Sequence, residues 1–186
     1  MAQPDGHAER TRSSLPLSKP NLDPYIRLMI HFSFSFAENV SEPVTEFTAY
    51  YWVDGLLRLE SDSEVVFEEE IVPLVELAVW LTHWLASNKN ACSFTPDGYD
   101  EDYSPLFHLA PAGGTQYCLS YGYGATIAST TADLVEWETA FTQFLEDLRQ
   151  AVQRQYHLQL DAVLQRFAPA PASSPLKSWF RSLFRF

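Results

Sequence analysis

The run EVVFEEEIVPLVELAVWLTHWL, Glu64–Leu85, changes its periodicity part-way, and that change decides the fold class. From Glu64 to Glu70 apolar and acidic residues alternate, with Val65 and Phe67 set against carboxylates, which is the two-residue period of a half-buried strand. Beyond it, Ile71, Leu74, Val75, Ala78, Leu81 and Leu85 recur at helical spacing, and Pro73 stands where a first helical turn tolerates a missing N–H. A strand that runs into a helix of about residues 72–87 points to an α+β chain.

Upstream, residues 25–36 alternate cleanly. Ile26, Leu28, Ile30, Phe32, Phe34 and Phe36 share one face of a long strand. Residues 44–60 hold two β-rich runs, and Asp54-Gly55 between them is the residue pair of a type I′ hairpin turn. Downstream, short strands are expected at 91–95 and 106–109, flanking a polar loop over 96–105. Gly113-Gly114 turns the chain into a strand over 115–123, where Tyr117, Leu119, Tyr121 and Tyr123 share a face. Asp133 with Glu136 has the spacing of a capping box. It opens a long helix over about 132–166, with Leu134, Trp137, Phe141, Phe144, Leu145, Leu148 and Val152 in one stripe.

The expected architecture is α+β: one antiparallel meander sheet of about six to seven strands packed by two helices, plus a short C-terminal amphipathic helix. Residues 1–22 are expected to form a disordered arm, 23–167 the acidic domain, 168–174 a Pro/Ala/Ser linker and 175–186 the terminal helix. With 46% hydrophobic residues the chain can bury a core. The N-terminal arm has neither a signal-peptide core nor an apolar span, and two cysteines are too few for a disulfide framework, so a cytoplasmic location is expected.

The net charge of −12 is uneven. Residues 23–136 hold 18 acidic side chains against Arg27, Arg58 and Lys89, whereas 137–186 hold 4 acidic and 6 basic ones. Such a body repels phosphate backbones and anionic membranes and attracts basic partners, so direct nucleic-acid binding is not expected. Four carboxylates of the polar loop, Asp97, Asp100, Glu101 and Asp102, are interleaved with Tyr99 and Tyr103, a surface suited to Arg or Lys side chains. Their spacing departs from that of a calcium-binding loop. Glu68, Glu69 and Glu70 are expected to stand before the first long helix, where its dipole favours negative charge.

Catalytic and metal motifs are not evident. His7, His31, His83, His108 and His157 lie far apart, and none has a second histidine or a cysteine at helical spacing. Cys118-Leu119-Ser120-Tyr121-Gly122 resembles a nucleophile elbow only in part, because Ser120 belongs to an alternating strand rather than a sharp turn. Nothing in the sequence lowers the thiol pKa of Cys92 or Cys118. No metal or cofactor is expected.

The terminal segment has the opposite character. Leu176, Trp179, Phe180, Leu183 and Phe184 fall on one helical stripe, with Lys177, Arg181 and Arg185 off it. Such a helix suits a membrane surface, a partner's groove, or the chain's own acidic body.

From Phe67 to Tyr121, an acidic strand with Phe-Glu-Glu is followed by Pro-Leu-Val-Glu-Leu-Ala-Val-Trp-Leu-Thr-His-Trp-Leu and then Asp-Gly-Tyr-Asp-Glu-Asp-Tyr-Ser-Pro-Leu-Phe. This order resembles small acidic α+β immunity proteins of bacterial polymorphic toxin systems. The resemblance implies an antitoxin-like inhibitor that covers a toxin's active site, with acidic residues mimicking phosphates when the toxin is a nuclease. The leading expectation is a non-enzymatic acidic binding protein that engages a basic partner protein through Glu68, Glu69, Glu70, Asp97, Tyr99, Asp100, Glu101, Asp102 and Tyr103. The alternative is a membrane-surface or complex-associated adaptor held by the terminal helix. A third, an enzyme, would require His31, His83 or His108 to meet a carboxylate in a deep pocket.

Overall fold

The computed structural model describes residues 29–38, 43–87, 89–97, 105–123 and 126–167. The expected N-terminal arm, linker and terminal helix lie outside these residues, as do Tyr99, Asp100, Glu101, Asp102 and Tyr103.

The elements in chain order are β1 (Ile30–Phe36), α1 (Ala49–Trp52), β2 (Asp54–Ser61), β3 (Glu64–Pro73), α2 (Leu74–Ala86), β4 (Cys92–Phe94), β5 (Phe107–Gly113), β6 (Gln116–Tyr123), β7 (Thr126–Asp133), α3 (Leu134–Tyr156) and α4 (Leu160–Phe167). The α+β class holds, but the single sheet does not. There are two antiparallel sheets, ordered β1-β2-β3 and β4-β5-β6-β7. The helix α2 separates them in sequence, and β4 after it pairs with β5 rather than returning to β3. Each sheet is its own meander, and the two meet through side chains: Phe67 of β3 packs its ring 5.2 Å from Phe107 and 5.6 Å from Tyr121.

Asp54-Gly55 is not a hairpin turn. The first run expected as a strand instead contains α1, entered through reciprocal bonds in which Thr45 N–H donates to Thr48 Oγ1 at 2.9 Å and Thr48 N–H to Thr45 Oγ1 at 3.2 Å. Gly55 is the second residue of β2, where three elements crowd. A Cβ there would fall on the Ser35 carbonyl oxygen and lie 2.9 Å from Leu74 Cδ1. The turn that joins β2 to β3 is Asp62-Ser63, with φ of 52° and 68°, and the Asp62 carboxylate accepts the Met29 N–H at 3.1 Å.

The C-terminal half departs from expectation at two points. The strand β7 was not legible, because Thr-Ile-Ala-Ser-Thr-Thr-Ala-Asp buries only Ala132 among its described side chains and leaves Ile127 57% exposed. The long helix stops at Tyr156. His157 takes a left-handed conformation, φ 57°, and α4 then folds back, tied by Arg149 to Asp161 at 3.0 Å. The capping box forms as expected, with the Glu136 carboxylate accepting the Asp133 N–H at 3.1 Å.

Both sheets and α2, α3 and α4 close over one core. Its centre is aromatic: Phe32 lies edge-on to Phe107 and Phe144, and Phe141 sits against Trp84 and Trp137. The indole N–H of Trp137 reaches the Tyr117 carbonyl at 3.0 Å, which ties α3 to β6. Truncating a ring such as Phe32 to Ala would cost about 3–5 kcal/mol.

Candidate functional site

Two grooves between these elements differ in chemistry. The larger, about 610 Å³, runs beside β1, an edge strand among the described residues, and is walled by His31, Ser33, Ser35, Asp147, Arg154 and Gln155 among others. Its polar side chains are exposed or half-buried. The smaller, about 290 Å³, lies at the N-terminal half of α2, where α1, α2, β4 and the end of α4 meet. It encloses a buried carboxylate.

The helix α2 is apolar nearly all round, with Leu74, Val75, Leu77, Ala78, Leu81 and Trp84 buried, and Glu76 is buried among them at 7% exposure. A carboxylate is held there because it has one built partner: the Asp97 backbone N–H donates to Glu76 Oε1 at 2.8 Å. Burial outweighs that bond. Desolvation, with the Asp97 and Asp54 charges adding to it, pushes the Glu76 carboxyl up to about 7. Tyr50 of α1 reaches Asp97 Oδ2 at 3.5 Å, and burial together with Glu76 and Asp97 raises its phenol further above the ordinary range.

The other walls are aromatic. Trp80 lies 5.8 Å from Phe94, and Phe167 stacks on Tyr50 at 4.3 Å. Rings around the Glu76 carboxylate, with the Asp97 carboxylate beside Tyr50, offer attraction to a cation from quadrupoles and charge together. Outside the groove, Phe47 and Tyr51 expose 62% and 52% of their surfaces.

The residues singled out from the sequence are distributed unevenly about this corner. Asp97 belongs to it, and it begins the acidic run whose remaining members lie outside the described residues. Glu68, Glu69 and Glu70 lie within β3, where the alternation puts them, but the strand continues to Pro73, so they stand four to six residues before α2 rather than beside its first turn. Glu68 pairs with Arg58 at 2.5 Å, Glu69 is half-buried opposite Leu57, and Glu70 is exposed. His31 and His83 line different grooves, and His108 bonds Ser93 at 2.8 Å. His83 shares the smaller groove with Glu76, two helical turns away, but no hydrogen bond joins them among the described residues.

Ser120 lies in β6, paired with Ser129 and His108, away from any strand-to-helix turn. Burial pushes the Cys92 thiol up to about 11, so it is un-ionised near neutrality. Among the described residues no three His, Cys, Asp or Glu side chains gather to hold a metal ion, and no helix is long and apolar enough to cross a membrane.

Residues 30–154 match the model of a protein family described as a domain of unknown function, DUF7878. The chain belongs to that family. The family region covers Tyr50, Glu76, Trp80, Phe94 and Asp97 and ends within α3, so Phe167, which closes the groove, lies beyond it. No curated protein and no solved structure matches the chain significantly.

Glu76, Tyr50, Trp80, Phe94 and Phe167 were not singled out from sequence. The signal for Glu76 was present: a single carboxylate inside an apolar helical run is a residue type almost never buried without a partner. The partner, 21 residues away across a loop, was not visible.

Proposed function

We propose that this protein is a non-enzymatic binding protein that takes a basic partner protein on its acidic side, with the groove at Glu76 and Asp97 receiving a Lys or Arg side chain. The observation that carries this reading is the buried Glu76 carboxyl beside Asp97 in a groove walled by Tyr50, Trp80, Phe94 and Phe167. A desolvated carboxylate whose charge is disfavoured gains most from an incoming cation, and the rings supply contact area around its hydrocarbon stem. The net charge of −12 supports steering of a basic partner toward this side. An immunity-protein role, inhibition of a basic toxin, is one form of the same reading and rests on the resemblance of residues 67–121.

Calorimetric titration of a synthetic Lys/Arg-rich peptide into the full chain tests it. Binding should weaken with salt and fall by about tenfold or more in Asp97→Lys and in Trp80→Ala. Equal affinity for an acidic peptide of the same length, or no loss in both variants, would end the proposal. Charge reversal of Asp100, Glu101 and Asp102 should slow association at low salt, and unchanged kinetics would remove that loop from the surface.

A further inference from the structure

The described chain ends at Phe167, and it ends inside the functional corner. The Phe167 ring stacks on Tyr50 and forms one wall of the Glu76 groove, so the last described residue stands at the groove itself. A seven-residue Pro/Ala/Ser linker, 168–174, connects Phe167 to the basic amphipathic segment. Seven residues reach at most about 25 Å, so the segment starts near this corner. A short tether also sets an effective local concentration on the order of millimolar, enough for a modest contact to be occupied.

The two chemistries are complementary. The corner presents the exposed rings of Phe47 and Tyr51, the half-buried Trp80 and the exposed Asp97 carboxylate, with the buried Glu76 carboxyl beneath them. The segment presents Trp179, Phe180 and Phe184 on one stripe with Lys177, Arg181 and Arg185 off it, and these are three of the chain's 12 basic residues. One contact of this type already forms at the exit, where the Arg166 guanidinium lies 6.0 Å over the Phe47 ring.

We propose that residues 175–186 dock in cis on this corner, their rings on Phe47, Tyr51 and Trp80 and a cation toward Glu76 and Asp97, and thereby act as a built-in competitor of the basic partner. The docking stands on the chain exit, tether length and complementarity. The competitor role rests on the binding function proposed above.

Hydrogen exchange followed by mass spectrometry on the full chain separates the two. The wild type is compared with Trp179→Ala/Phe180→Ala/Phe184→Ala and with Lys177→Glu/Arg181→Glu/Arg185→Glu, reading the amides of 45–53 and 90–97, with β6 and α3 as folding controls. Docking in cis predicts exchange at the corner about tenfold faster in both variants, with the controls unchanged and no dependence on protein concentration.

Unchanged corner exchange overturns the proposal. So does protection that grows with protein concentration, which would place the segment on a second copy, or protection that appears only with anionic vesicles. Titration of the same Lys/Arg-rich peptide then reads the competitor role. Affinity about tenfold higher in the tail variants supports it. Freed amides with no gain in affinity leave the docking intact and overturn the competition. If the peptide binds neither form, the failure lies in the proposed function and not in the docking.

Discussion

The Asp97 backbone N–H and the Glu76 carboxylate, 2.8 Å apart, pin the start of the acidic run to the buried first turn of α2. This bond favours the ionised carboxylate but does not outweigh desolvation, so the folded pKa, about 7, stands above the ordinary 4.5. Between these values the folded state holds a proton that the unfolded state releases, so the stabilisation is fully present below about 4.5 and is lost as pH rises through about 7. A shift of this size corresponds to an effect on the order of 3 kcal/mol. Asp54, also raised by burial, adds in the same direction. Glu76→Gln keeps an oxygen for the Asp97 N–H and has no charge to desolvate. Urea unfolding at pH 5 and pH 8 should show the wild type losing stability across that interval and Glu76→Gln losing much less. Equal losses would show that Glu76 is not the group responsible.

Gly55 and Ser63 exchange the roles that turn chemistry alone would assign. Gly55 lies in a strand register opposite Phe36 and Val72, and its missing side chain is what lets β1, β2 and Leu74 approach. Ser63 carries the positive φ. Gly55→Ala should therefore destabilise by about 1–3 kcal/mol through overpacking, while Ser63→Gly should be neutral or stabilising by a few tenths of a kcal/mol or more. Chemical denaturation of the two variants checks this, and the reverse order would restore the hairpin turn at Asp54-Gly55.

These two positions show what could be read from the residues. Periodicity located β1, β3, α2, β6 and the start of α3; β1, β6 and α3 each bury one regular face, whereas β3 leaves Val65 50% exposed beside two register shifts and α2 is buried on most sides. It could not separate the sheets, since whether β4 pairs with β3 or with β5 is a long-range choice that no local pattern encodes. It missed β7 because threonines at an edge leave no apolar alternation. It ran α3 into α4 because Leu158 continues the apolar stripe while the backbone reverses at His157, a residue without the glycine that usually marks a left-handed end. At the candidate site Asp97 alone had been singled out from sequence for partner binding, through the charge density around it. The groove was not, because its walls come from four elements between Tyr50 and Phe167 that only the tertiary fold brings together.

The two most buried tryptophans among the described residues are predicted to respond differently to the same substitution. Trp84 and Trp137 are 1% and 0% exposed, but Trp137 donates its indole N–H to Tyr117, whereas the Trp84 N–H is buried without an acceptor. Replacement by Phe removes volume at both sites. At 137 it also leaves the Tyr117 carbonyl without this donor, and at 84 it removes an uncompensated polar group. Trp137→Phe should thus cost about 1–2 kcal/mol more than Trp84→Phe in equilibrium unfolding. A larger cost at 84 would mean that its N–H has an acceptor in solution, such as an ordered water.

Binding at the groove should itself depend on pH. If a Lys or Arg side chain settles against Glu76, it favours the ionised carboxylate, so the pKa falls from about 7 and a proton is released on binding. With the tail cations removed in Lys177→Glu/Arg181→Glu/Arg185→Glu, so that no cation of the chain itself competes at Glu76, affinity for the Lys/Arg-rich peptide should then rise from pH 6 to pH 8, by no more than about tenfold per pH unit for one coupled proton. The groups facing Glu76 are Asp97 in the loop, Asp54 on β2 and Tyr50 on α1, with His83 on the same wall of α2. A protonated His83 would repel the incoming cation and give a dependence of the same sign, so the two must be separated by variants. In Glu76→Gln the pH dependence should flatten while the salt dependence from Asp97 persists, and in His83→Gln most of the pH dependence should remain. Calorimetry in two buffers of different ionisation enthalpy measures the proton released per peptide bound. If Glu76→Gln still releases it and His83→Gln does not, the histidine is the coupled group, and the cation does not sit against the buried carboxylate.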